Sequence, residues 1–212
     1  MKNLILPFFI STLLISSLNA QDLILTAVYD GPLSGGTPKG VELYVVSNIA
    51  DLSKYALGSA NNGGGTDGAE YTLSGTASAG DFLYISSEST QFNNFFGFTP
   101  TATSGVMGIN GDDAIELFFD ADDGNGMQVV DVFGDINTDG TNEAWEYMDG
   151  WASRKSFTNK SNNSTWTIGN WNFSGKNALD GETNNASAST PMPIGNYDFS
   201  ALNTVITGDA GW

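Results

Sequence analysis

An all-β fold, a sandwich or a barrel, is predicted by three features of the sequence. Short runs rich in Val, Ile, Leu, Phe and Tyr recur between residues 22 and 133, with Gly, Asn and Asp clusters between them. The clearest run alternates apolar and polar positions, the period of a half-buried strand. No long stretch beyond residue 20 sustains the 3.6-residue period of a helix.

The elements follow in order. Residues 23–29 form the first strand, which Asp30-Gly31-Pro32 ends, and Ser34-Gly35-Gly36-Thr37-Pro38 makes a loop. Residues 41–46 form the second, with Val41, Leu43 and Val45 on one face and Glu42 and Tyr44 on the other. A Gly-rich loop covers residues 61–68, and short strands occupy 70–73 and 82–86. Residues 89–96 suit one or two helical turns started by a hydroxyl cap. Residues 114–119 and 128–133 read as paired strands joined by Asp120-Ala121-Asp122-Asp123-Gly124-Asn125-Gly126. After Gly134 strand signals thin out, while Trp145, Trp151, Trp166 and Trp171 sit among Asn, Ser and Gly. Residues 135–212 are therefore expected to be an irregular extension packed on the sandwich of residues 21–134.

Residues 1–20 have the parts of a secretory signal peptide: Lys2, an apolar stretch over residues 4–18, and Asn19-Ala20 before a cut at Gln21. The expected location is secreted or at the cell surface, with no membrane span in the mature chain. Seven Lys and Arg against 24 Asp and Glu give a net charge of −17. That balance opposes nucleic-acid binding, which needs cationic clusters to displace counterions, and docking on anionic membranes. With no His and no Cys, the chain lacks the commonest general base, thiol nucleophile and imidazole ligand. The Gly63-Gly64-Gly65 run has no P-loop lysine. No enzyme is expected, although carboxylate chemistry, including metal-dependent hydrolysis, stays formally open.

The sharpest local signal is Asp135-Ile136-Asn137-Thr138-Asp139-Gly140-Thr141-Asn142-Glu143-Ala144-Trp145-Glu146, which fits a calcium-loop pattern. Ca²⁺ takes six to eight oxygens. Asp135, Asn137 and Asp139 would offer side-chain oxygens, Thr141 its carbonyl, and Glu146 two oxygens. The competing reading is a loop of Asx turns. Asp120, Asp122 and Asp123 read as a hairpin connection, and Asp112-Asp113 as turn and strand entry. Trp145, Tyr147, Trp151, Trp166 and Trp171 could form a sugar-stacking platform, but large rings in a strand-poor extension are better suited to pinning it to the sandwich.

Gly40-Val41-Glu42-Leu43-Tyr44-Val45-Val46 followed by Asp51-Leu52-Ser53-Lys54-Tyr55-Ala56-Leu57 resembles the opening of a lamin-tail domain. Residues 79–85, 109–118 and 129–134 are similar to its middle strand, its Gly-Asp turn with the next strand, and its closing strand, in order. Ala144-Trp145-Glu146-Tyr147 and Pro191-Met192-Pro193-Ile194-Gly195 resemble the tail of a bacterial exported subgroup. The resemblance implies an immunoglobulin-like β-sandwich without catalytic activity, acting as an interaction module. The expected function is a secreted, calcium-stabilised module binding an extracellular protein or polysaccharide. The alternatives are an extracellular matrix or adhesion component and an unrecognised metal-dependent hydrolase.

Overall fold

In a computed structural model the protein is a two-sheet β-sandwich. The structure describes residues 22–156 and 165–199, so the export segment expected at residues 1–20 lies outside it. Strands β1 (Leu23–Leu33), β2 (Thr37–Val45), β3 (Tyr55–Ala60), β4 (Tyr71–Thr72) and β5 (Phe82–Ser86) come first. Helix α1 (Thr90–Phe96) follows, then β6 (Ala102–Thr103), β7 (Ala114–Asp120), β8 (Met127–Phe133), β9 (Gly150–Arg154) and β10 (Trp171–Phe173). One sheet has the order β10-β9-β1-β2-β5-β6 and the other β4-β3-β7-β8. All pairings are antiparallel except β5 with β6. Among the described residues no helix is long and apolar enough to cross a membrane.

The core lies between the sheets. Val41, Leu43, Val45, Leu83 and Ile85 from the larger sheet meet Tyr55, Leu57, Ile115, Leu117 and Phe133 from the smaller. The alternation read from residues 41–45 thus faces as expected. β1 does not alternate, for two reasons. A bulge at Thr26 shifts its register, pairing Leu25 with Leu43 but Ala27 with Glu42. Leu23, Leu25 and Val28 then share the inter-sheet core. Its opposite face is covered too, since Ala27 and Tyr29 join a second apolar cluster and Ile24 a third. A strand buried on both faces needs no polar positions.

β1 also runs through Asp30-Gly31-Pro32, where the sequence predicts its end, and β2 begins at Thr37, inside the expected loop. Gly31 makes this close hairpin fit, because a Cβ there would lie 2.5 Å from Pro38 Cδ. The helix over residues 90–96 is present, but its hydroxyl cap is not. Ser89 makes no side-chain capping bond. The Glu88 carboxylate instead accepts from the N–H of Gln91 at 2.8 Å and of Phe92 at 3.1 Å, a negative group on orphan helix donors. Phe92 and Phe95 bury against the outer face of the larger sheet.

The chain after Gly134 packs on the sandwich and is largely irregular. It also contributes structure that its composition conceals, since β9 pairs with β1 and β10 extends the same sheet. Beyond β10, Leu179 and Met192 pack beside α1, and Tyr197 and Phe199 cover Ile24.

Candidate functional site

Three connections leave the same end of the smaller sheet. Ala60 at the end of β3 faces Ala114 at the start of β7, and Phe133 at the end of β8 faces Ile115. The loops at residues 61–65, 110–113 and 135–146 therefore meet, and short bonds knit them together. The buried Asp113 accepts from the N–H of Asn62 at 2.9 Å and of Asn110 at 3.1 Å. Burial pushes its pKa up, against the pull of these two donors. Gly65 N–H donates to the Ile136 carbonyl at 2.8 Å, and Gly140 N–H to the Asp112 carbonyl at 3.0 Å. Thr141 Oγ1 donates to Asp112 Oδ2 at 2.9 Å. Two glycines permit the close approach: at Gly63 (φ +69°) a Cβ would lie 2.4 Å from Asp139 N, and at Gly111 (φ +80°) one would lie 2.2 Å from Met148 Cα.

The five calcium-loop residues lie in this cluster, where Asp135, Asp139 and Glu146 accept hydrogen bonds from the loop itself. The exposed Asp135 accepts from Asn137 N–H at 2.9 Å and the Thr138 hydroxyl at 3.0 Å. Asp139 accepts from Thr141 N–H at 2.9 Å, and Thr141 holds its carboxyl below the ordinary range. Glu146 is mostly buried, accepting from Asn142 N–H at 2.9 Å and pairing with Lys176 Nζ at 2.7 Å. These are the Asx-type turns of the competing reading. Among the described residues no three acidic side chains are grouped so as to hold a metal ion.

Asp120, Asp122 and Asp123 do form the β7–β8 hairpin connection. Asp120 accepts from Asp122 N–H at 2.8 Å, Asp123 from Asn125 N–H at 3.0 Å, and Lys54 pairs with Asp122.

The aromatic residues divide. Trp145, Tyr147, Trp151 and Trp171 are buried, which removes them from any open stacking platform. Phe133 at the end of β8 is the hub of three of them, with ring centroids 5.9 Å from Trp145, 5.4 Å from Tyr147 and 4.8 Å from Trp171, while Trp151 packs in the cluster on the outer face of the larger sheet. Edge-to-face packing of this kind pins the extension to the core. Trp166 is different. It is half-buried, and it walls a hollow of about 370 Å³ shared with Val132, Gly134, Asp135, Ile136, Asn137 and Thr165.

One charged pair escapes sequence inspection. Asp131 points inward from β8 and Arg154 from β9, and they meet between the sheets at 2.6 and 2.7 Å. The signal was present: an acid inside an apolar strand run, and the chain's single arginine.

No protein-family model, no curated protein and no solved structure matches this chain.

Proposed function

We propose that the protein is an exported, non-catalytic binding module of lamin-tail type, which holds an extracellular protein or polysaccharide through the loop end of its sandwich. The observation that supports it most is the knitted cluster of residues 61–65, 110–113 and 135–146 on a rigid two-sheet scaffold. Loops fixed by a scaffold are a common place for binding function. The buried acids in or beside that cluster have structural work: Asp113 ties two loops, Glu146 pairs with Lys176, and Asp131 pairs with Arg154.

A calcium ion on the 135–146 loop belongs to the same proposal and has a definite cost. Glu146 must exchange Lys176 and the Asn142 N–H for the ion. Asp135 and Asp139 keep lone pairs beyond those used in their turns.

Culture fractionation with N-terminal sequencing tests the export half. The expected result is protein outside the cytoplasm beginning at Gln21, and an intact N-terminus in the cytoplasm contradicts it. Nuclease and glycosidase assays with added divalent metal test the non-catalytic half. Turnover abolished by changing one carboxylate would replace the module with a hydrolase.

A further inference from the structure

We propose that the hollow walled by Trp166 is a carbohydrate subsite, and that it takes a neutral sugar. This rests on the binding-module function above and names its ligand class. With Trp145, Tyr147, Trp151 and Trp171 buried, Trp166 is the tryptophan left partly open among the described residues. Its ring is held edge-on by Phe133 at 6.1 Å and by Trp145 at 5.8 Å. An indole fixed before the ligand arrives loses little conformational freedom on binding.

The rest of the hollow supplies what the two sides of a sugar ring need. The half-buried Ile136 adds apolar surface beside the indole, over the buried Val132, which suits the C–H face of a pyranose. Asp135, Asn137 and Thr165 are exposed at the rim. A carboxylate has about four acceptor positions, an amide both donates and accepts, and a hydroxyl does either. Asp135 uses two of its positions in the turn to Asn137 and Thr138. Sugar hydroxyls, which also donate and accept, match such a set. The volume, about 370 Å³, falls within the usual range of about 300–1,000 Å³ for small-ligand sites.

Charge decides the kind of sugar. Asp135 places a carboxylate at the rim of a chain with net charge −17. Like charges brought together cost affinity and slow encounter. Uronate and sulfate polymers are therefore disfavoured, and neutral glycans are not.

Affinity electrophoresis of the purified exported protein tests this, with hydroxyethylcellulose, galactomannan or laminarin in the gel as neutral probes and alginate as the anionic one. Retardation by at least one neutral polymer and none by alginate is expected. Trp166→Ala should weaken binding at least tenfold and Trp166→Phe less. Because Trp166 also touches the core, Asn137→Ala on the exposed rim provides a second variant, expected to weaken binding without changing the melting temperature. Neutral-polymer binding unchanged in both Trp166→Ala and Asn137→Ala overturns the subsite. So does the absence of retardation by every neutral polymer. If the protein then still sediments with cell envelope, the module function survives without the subsite, and if it does not, both fail.

Discussion

Arg154 Nη2 lies 2.6 Å from Asp131 Oδ1 and 2.7 Å from Oδ2, joining β8 at the edge of the smaller sheet to β9 of the larger. Both side chains are almost wholly removed from solvent. Desolvating two ions is expensive unless their remaining hydrogen-bonding capacity is filled, and here much of it is. Arg154 Nε donates to the Leu25 carbonyl at 2.7 Å, and Asp131 accepts from the N–H of Leu25 and of Val132 at 3.0 Å each. Leu25 borders the bulge in β1, and Asp131 borders the one in β8. The bulges interrupt the ladders where the ion pair enters. Trp171 closes one side, its ring 4.8 Å from the guanidinium carbon.

Removing one partner strands the other charge. Arg154→Leu or Asp131→Leu should therefore lose about 3–5 kcal/mol in urea denaturation. The double replacement by apolar residues should lose less than the sum of the single losses, as a double-mutant cycle would show. Strict additivity would mean that the two groups do not act as a pair.

Phe133 joins strand β8 to the extension through Trp145, Tyr147 and Trp171. Phe133→Ala should cost about 3–5 kcal/mol by opening a cavity at that junction. Tryptophan fluorescence and far-ultraviolet dichroism should report one shared transition, since β9 and β10 are strands of the larger sheet. Two separate transitions would make the extension an independent unit.

The strand periods, the core face of residues 41–45 and the acidic hairpin were legible in the sequence because each depends on local pattern. β9 was not. Gly150-Trp151-Ala152-Ser153-Arg154 has weak strand propensity, and its strand state comes from the partners β1 and β10 on either side. The calcium-loop pattern was legible as a pattern, yet Asp135 and Asp139 are turn acceptors in the structure. Asx turns and calcium loops draw on the same spaced Asp and Asn residues. That Trp166 stays half-open while Trp145, Trp151 and Trp171 are buried is set by packing across the fold, a long-range fact that no local window contains.

Asp30 is buried, with Lys39 Nζ at 2.9 Å and the Asp149 N–H at 3.3 Å. Burial pushes its pKa up to about 6 despite Lys39. Glu42, Asp113 and Glu116 are also raised, each chiefly by burial, and Glu116 Oε2 has no hydrogen-bond partner among the described residues. A carboxyl that binds its proton more tightly folded than unfolded stabilises the fold below its unfolded pKa, about 3.9 for Asp. That stability is lost as pH rises through the folded pKa. The fold should therefore gain stability as pH falls from about 7 to about 4. Asp30→Asn should remove about 2 kcal/mol of this dependence. Chemical denaturation across that range checks it, and a wild-type stability that falls steadily below pH 6 would contradict it.

Calcium should raise the melting temperature if residues 135–146 enclose the ion, and Glu146→Gln should reduce the shift. The relevant control is Lys176→Met, which frees Glu146 from its ion pair and should strengthen the calcium response. No shift at millimolar Ca²⁺ in either the wild type or Lys176→Met would remove calcium from the proposal and leave the loop as Asx turns.

Binding outside the cell is the proposed work of this sandwich. Equilibrium sedimentation of the purified protein with isolated cell envelope and with insoluble neutral polysaccharide tests it. Saturable co-sedimentation with at least one of them is expected, competed by unlabelled protein and lost on thermal unfolding. Protein that stays in the supernatant with both materials at every concentration would contradict it.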